Sequence, residues 1–395
     1  MPSALRGFDI SAVLDDRVRR LQRDLEAADH AINAVPQALR ARLTGGLRNE
    51  IARKSDTVNL VLSEPLRDHA LHPADAWARM HAMEIEIAAL LEESLALAAG
   101  ASFRSSSLAG PSLEPDGAKE GPRWDVCSIA DALIDELVAR TPVAGWASFT
   151  VFGGAEFFRY TSRLIQIRFP RPTSWDLPGT AHELGHYVAR TLEEFHGGRM
   201  RNLVDELHDE LDATDVVSWH WLEELFADAF GAWVLGPAYG LTCVTLAFDP
   251  LEANIGTASH PAGSARVHTI TTTLEAFNDD GVGSLAGEIA QLWARLAEVC
   301  EAEPVPAGEH LVPEPWSKKI ADLLAGHLPH SRYSTFSEAE LLSSDLSQLG
   351  ADTTLADVLN AAWLARIGAA SRIAVDETNQ RALTLAKKIA VRGNQ

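Results

Sequence analysis

Residues 181–190 read AHELGHYVAR, and forty residues further on 221–240 read WLEELFADAFGAWVLGPAYG. In the first stretch His182 and His186 are four apart, so on a helix they stand one above the other with Glu183 beside them. Asp176 and Pro178 are helix-start signals, and Leu184, Tyr187 and Val188 supply apolar sides. Gly185 costs a helix roughly 1 kcal/mol relative to alanine, which fits a position where something passes close by. In the second stretch Glu224 and Asp228 share one face of a strongly apolar helical pattern. A buried carboxylate pair there needs a cation or hydrogen-bonding partners. From Ala229 to Phe248 the chain is uncharged, but Gly231, Gly236, Pro237 and Gly240 interrupt it. That run predicts a buried helix, a turn and a second buried helix rather than a membrane span.

Upstream, Leu14, Val18, Leu21, Leu25, Ala28, Ile32, Val35 and Leu39 follow a four-three spacing that keeps one apolar seam on a helix, with Pro36 ending or kinking it. Weaker helical patterns include Leu47, Ile51 and Val58, then Trp77, Met80, Met83, Ile87 and Leu90. Residues 1–101 are therefore expected to form a helical hairpin or bundle, structural or able to mediate self-association or regulation. Residues 102–122, rich in Ser, Gly and Pro, are expected to be a linker. Within 123–395, Cys127 to Val138 looks helical, Trp146 to Phe152 and Leu164 to Phe169 look like strands, and helical patterns dominate after Asp176. The expected fold class is α+β, mostly helical, with a small antiparallel sheet in the domain that carries the two quoted stretches.

The 395 residues are 46% hydrophobic and 23% charged, ordinary for a folded protein of two or three units. A formal net charge of −21 argues against a broad phosphate-binding surface, so no nucleic-acid partner is expected. Acidity gathers at Glu193, Glu194, Asp205, Glu206, Asp209, Glu210, Asp212 and Asp215, as a solvated face or one that steers basic substrates. Cys127, Cys243 and Cys300 lie far apart with no CxxC spacing, which argues against a disulfide framework and for a reducing compartment. The opening MPSALRGFDISAVLDDRVRR lacks the charge and apolar pattern of a signal peptide, so a cytoplasmic location is expected.

H-E-x-x-H on a helix is a metal-ligating pattern: two imidazoles grip one ion while the glutamate reaches the water beside it. Zinc in a hydrolase usually takes three protein ligands and leaves a fourth position open. The extended pattern with a third histidine fails, since Ala189 and Leu192 stand where glycine and histidine would be. Glu224 is the simplest third ligand, with Asp228 accepting the outward N–H of a ligating histidine. Glu223 competes but lacks an acidic partner four residues later, where Ala227 stands.

With His182, Glu183, His186, Glu224 and Asp228 in place, the chain resembles gluzincin metallopeptidases, the thermolysin-like group, over about a quarter of its length. The resemblance implies a zincin-like domain holding one Zn2+ per chain, with Glu183 as general base. It also implies that an edge strand, here Leu164 to Phe169, pairs with extended peptide. ASHPAGSARV, 258–267, is more weakly similar to the His-Pro and downstream Arg element of gluzincins related to CAAX-prenyl endopeptidases. That similarity implies His260 as an oxyanion donor and Arg266 as a brace for the acidic residues around the site; a helix-start histidine is the other reading of His260. The expected activity is zinc-dependent hydrolysis of peptide bonds in a peptide or protein substrate. A zinc-bearing scaffold that binds a partner, and a zinc hydrolase of non-peptide amides or esters, are the alternatives.

Overall fold

The computed structural model describes residues 10–37, 40, 44–63, 73–109, 126–143, 150–153, 157–159, 164–168, 173–196, 199–211, 216–300, 314–346, 350–367 and 372–392. The chain divides into two compact units. The first is built on α1 (Ile10–Ala34), α2 (Gly45–Ser63) and α3 (Pro73–Ala109). On α1 the seam residues Val18, Leu21, Leu25, Ala28 and Ile32, with Val35 just beyond, are each at most 4% exposed. They are joined in the core by Leu47, Ile51 and Val58 of α2 and Met80, Ile87, Leu90 and Leu97 of α3. Helix α1 stops before Pro36, as the steric limit on the residue before a proline dictates. The Arg40 guanidinium donates to the freed carbonyls of Asn33 and Val35, at 2.6 and 2.9 Å. Helix α3 continues to Ala109, eight residues into the stretch expected to be a linker; residues 110–122 lie outside those described.

The second unit carries α4 (Val126–Arg140), α5 (Gly179–Thr191), α6 (Leu203–Glu210), α7 (Val216–Leu235), α8 (Pro237–Thr242), α9 (Gly263–Glu275), α10 (Asp280–Val299), α11 (Glu314–His327), α12 (Phe336–Ser344), α13 (Leu355–Ile367) and α14 (Arg372–Arg392). At its centre lies α7, in which every residue from Trp221 to Leu235 is buried. A helix apolar all round has no solvent face and must be surrounded, and α5, α8, α9 and α11 all pack on it. At its end Gly236 takes φ +66°, the left-handed conformation that glycine adopts without strain, and Pro237 opens α8. No helix among the described residues is long and apolar enough to cross a membrane.

The expected α+β class is corrected by the structure: more than three quarters of the described residues are helical and helices build the core. The extended pieces are only three to five residues long, too short to form a layer against which helices could pack. Two of them, Glu193–His196 and Arg199–Asn202, pair antiparallel with Glu193 opposite Asn202 and His196 opposite Arg199, and the Asn202 side chain caps α6. The apolar alternation read as strands reports local backbone preference; the class is decided by the helices that bury side chains. Among the described residues, helices and not a sheet pack around α7, and the zincin-like architecture expected from the motif is not what the structure shows. Of the segments read as strands, 146–149 and Phe169 lie outside the described residues, as do Asp212 and Asp215 of the acidic cluster.

Candidate metal centre

Helices α5 and α7 cross in close contact, and Gly185 sets how close. A Cβ on Gly185 would lie 2.7 Å from the Ala227 Cα, so only glycine admits the α7 backbone at this distance. His182, about one turn before Gly185, and His186, the residue after it, face Glu224 on α7. The two Nε2 atoms are 3.1 Å apart; His182 Nε2 is 3.5 Å from Glu224 Oε2, and His186 Nε2 is 3.4 Å from Glu224 Oε1. Bonds of 2.0–2.1 Å to a tetrahedral ion put neighbouring ligand atoms about 3.3 Å apart, so these separations match the edges of such a site. Glu224 Oε2 is buried and makes no hydrogen bond, with the Arg266 guanidinium as its nearby charge at 3.4 Å. His182, His186 and Glu224 form a group able to hold a metal ion.

Asp228, fully buried one turn along from Glu224, lies 3.0 Å from His182 Nδ1 through Oδ1. Arg266 of α9 donates to it twice, Nε to Oδ2 at 2.6 Å and Nη2 to Oδ1 at 2.9 Å, and Nη2 also stands 3.4 Å from Glu224 Oε2. The Arg266 guanidinium rests on the Phe248 ring, 4.5 Å from its centroid. Sequence reasoning missed one participant: Tyr239 of α8, whose hydroxyl donates to Asp228 Oδ1 at 2.6 Å and lies 3.1 Å from His182 Nδ1. It stands eleven residues after Asp228, beyond the Gly236-Pro237 break, where helical phase says nothing about proximity.

Glu223, the rival ligand, points elsewhere: Arg190 Nε donates to its Oε1 at 2.9 Å. Glu183 is buried, 7% exposed, on the same helix as both histidines. His260 is half exposed, its Nε2 3.6 Å from Glu224 Oε1 and its Nδ1 2.8 Å from Ser259 Oγ. The loop that carries it is tied down, since Trp221 Nε1 donates to Thr257 O and Thr257 N donates to His260 O, both at 2.8 Å. His260 thus stands beside Glu224 on the side open to solvent.

No family model, no curated protein and no solved structure matches this chain. Without a metal, burial opposes charge on His182, but its hydrogen bond to Asp228 and the charge of Glu224 prevail and lift its pKa to about 10. Burial and the neighbouring His182 push His186 down to about 3. Burial would raise Asp228, yet Arg266 and His182 hold it well below the usual carboxylate range; His182 and Arg266 do the same for Glu224. Without a metal, the imidazole pair therefore carries its proton on His182 and not on His186.

Proposed function

We propose that the chain is a zinc-dependent hydrolase, most simply a peptidase. The observation that carries this reading is a set of three protein donors, two imidazoles and one carboxylate, with the buried Glu183 on the helix that presents both imidazoles. Three ligands suit a catalytic zinc, which keeps a position open, whereas structural zinc usually takes four and has no use for a further carboxylate. This disfavours the scaffold reading. The matching motif of the gluzincins supports the chemistry at the level of residues, independently of fold.

His182, His186 and Glu224 would hold the ion, one per chain. A bound zinc supplies an acidified water and polarises the carbonyl of the scissile bond. Glu183 takes the proton of the attacking water and passes it to the leaving amine. His260, on the solvent side, donates from Nε2 to the oxygen that becomes negative as the carbonyl is attacked. Asp228 and Arg266 hold His182 and balance the buried charge. Cys127, Cys243 and Cys300 form no disulfide, which supports placing the protein in a reducing compartment such as the cytoplasm.

The test compares wild type with Glu183→Gln, measuring zinc content and cleavage of a mixed panel of peptides, esters and non-peptide amides. The expected result is equal zinc and cleavage slowed by about a hundredfold or more, as loss of a general base gives. Equal cleavage by both proteins overturns the role of Glu183. A zinc-loaded wild type inert toward the whole panel favours a scaffold, and turnover of esters or amides without peptides changes the substrate class.

A further inference from the structure

We infer that Tyr239 is a positioning residue of this metal centre: its hydroxyl, seated by Gly231, holds Asp228 and with it fixes the His182 tautomer that turns Nε2 toward the ion. The inference rests on the proposed metal site and extends it to α8.

The argument is one of donors and acceptors. Asp228 is fully buried and, as a carboxylate, offers about four lone-pair sites. Arg266 Nε takes one at 2.6 Å, Arg266 Nη2 a second at 2.9 Å, and the Tyr239 hydroxyl a third at 2.6 Å. His182 Nδ1 stands 3.0 Å from Oδ1, the oxygen that Arg266 Nη2 and the Tyr239 hydroxyl also address. Tyr239 has one proton, and the short bond to Asp228 Oδ1 claims it, so the side of its oxygen facing His182 Nδ1 at 3.1 Å is an acceptor. Nδ1 therefore meets two acceptors and no donor, and it must carry the hydrogen. In a neutral imidazole that leaves the lone pair on Nε2, the atom 3.1 Å from His186 Nε2 and 3.5 Å from Glu224 Oε2.

The hydroxyl reaches this point because the corner between α7 and α8 is cut for it. A Cβ on Gly231 would lie 2.7–2.8 Å from three ring atoms of Tyr239, so glycine is the residue that lets the ring lie flat against α7. The ring is 1% exposed, wedged with its oxygen between Asp228 and His182. Partners that fix the outward nitrogen of a ligating histidine contribute roughly ten- to a hundredfold to metal affinity. A tyrosine that merely filled the core would contribute nothing to it.

The experiment measures zinc affinity by competition with a chromophoric chelator for wild type, Tyr239→Phe, Asp228→Asn and the double variant, at a temperature where all are folded. Tyr239→Phe keeps the ring and is expected to bind zinc about tenfold more weakly. Because the hydroxyl acts through Asp228, the double variant is expected to bind no more weakly than Asp228→Asn alone. Tyr239→Phe with wild-type affinity, or losses that simply add, overturns the inference while leaving the metal site intact. A wild type that binds no zinc overturns the metal reading itself, and this one with it. Nitrogen-15 NMR of the zinc-loaded wild type provides a check free of any variant: His182 is expected to carry its proton on Nδ1, and a bare Nδ1 overturns the inference.

Discussion

Gly185 shows how a residue without a side chain fixes the site beside it. Its missing side chain lets Ala227 sit where a Cβ would be 2.7 Å from backbone, and that approach brings the donors of α5 and α7 to within 3.5 Å of one another. Gly185→Ala gains roughly 1 kcal/mol in helix propensity but forces the helices apart, and overpacking of this kind costs about 1–3 kcal/mol. We expect the variant to unfold at lower denaturant than wild type and to bind zinc more weakly; unchanged affinity would mean that the crossing has slack. Several residues were legible before any coordinates. The four-residue phase singled out His182, His186, Glu224 and Asp228, which lie together in the structure, and put Glu224 before Glu223 because Asp228 follows it four residues on; in the structure Glu223 is turned to Arg190. Tyr239 was not legible, because its proximity depends on a turn at Gly236 that reverses the chain, and phase along one helix does not survive a turn.

Among the elements, the corner between α7 and α8 positions both the ligand helix and Tyr239, and Asn360 of α13 holds it. Its amide donates to Leu235 O at 2.7 Å, the end of α7, and its carbonyl accepts from Ala238 N at 2.9 Å, the start of α8. Asn360 is 1% exposed, so replacing it leaves those backbone groups without water. Asn360→Leu is expected to lower the unfolding free energy of the metal-free protein by about 1–3 kcal/mol for each orphaned group, read from denaturant curves. A loss below about 0.5 kcal/mol would show that the corner holds without it. Helices were easier to anticipate than strands for a physical reason. A helix such as α7 announces itself by an apolar run punctuated at Gly236 and Pro237, whereas Leu164–Arg168 has a strand-like alternation that says nothing of whether a sheet exists for it to join.

For the whole molecule, the sequence pointed to a chemistry more clearly than to a fold. The H-E-x-x-H motif resembles that of a family with a sheet beside its first helix, yet helices surround the site here and α7 serves as the axis on which α5, α8, α9 and α11 converge. Function lives in such local constellations and can be carried by different architectures. The central claim, that α5 and α7 together grip one metal, is tested most directly by zinc K-edge absorption spectroscopy on the zinc-loaded chain, with Glu224→Ala as the comparison. The account predicts one zinc bound by two imidazole nitrogens and oxygen donors at about 2.0–2.2 Å, with occupancy lost in Glu224→Ala. A chain that takes up no zinc, a sulfur neighbour at about 2.3 Å, or a spectrum and occupancy unchanged by Glu224→Ala would contradict it.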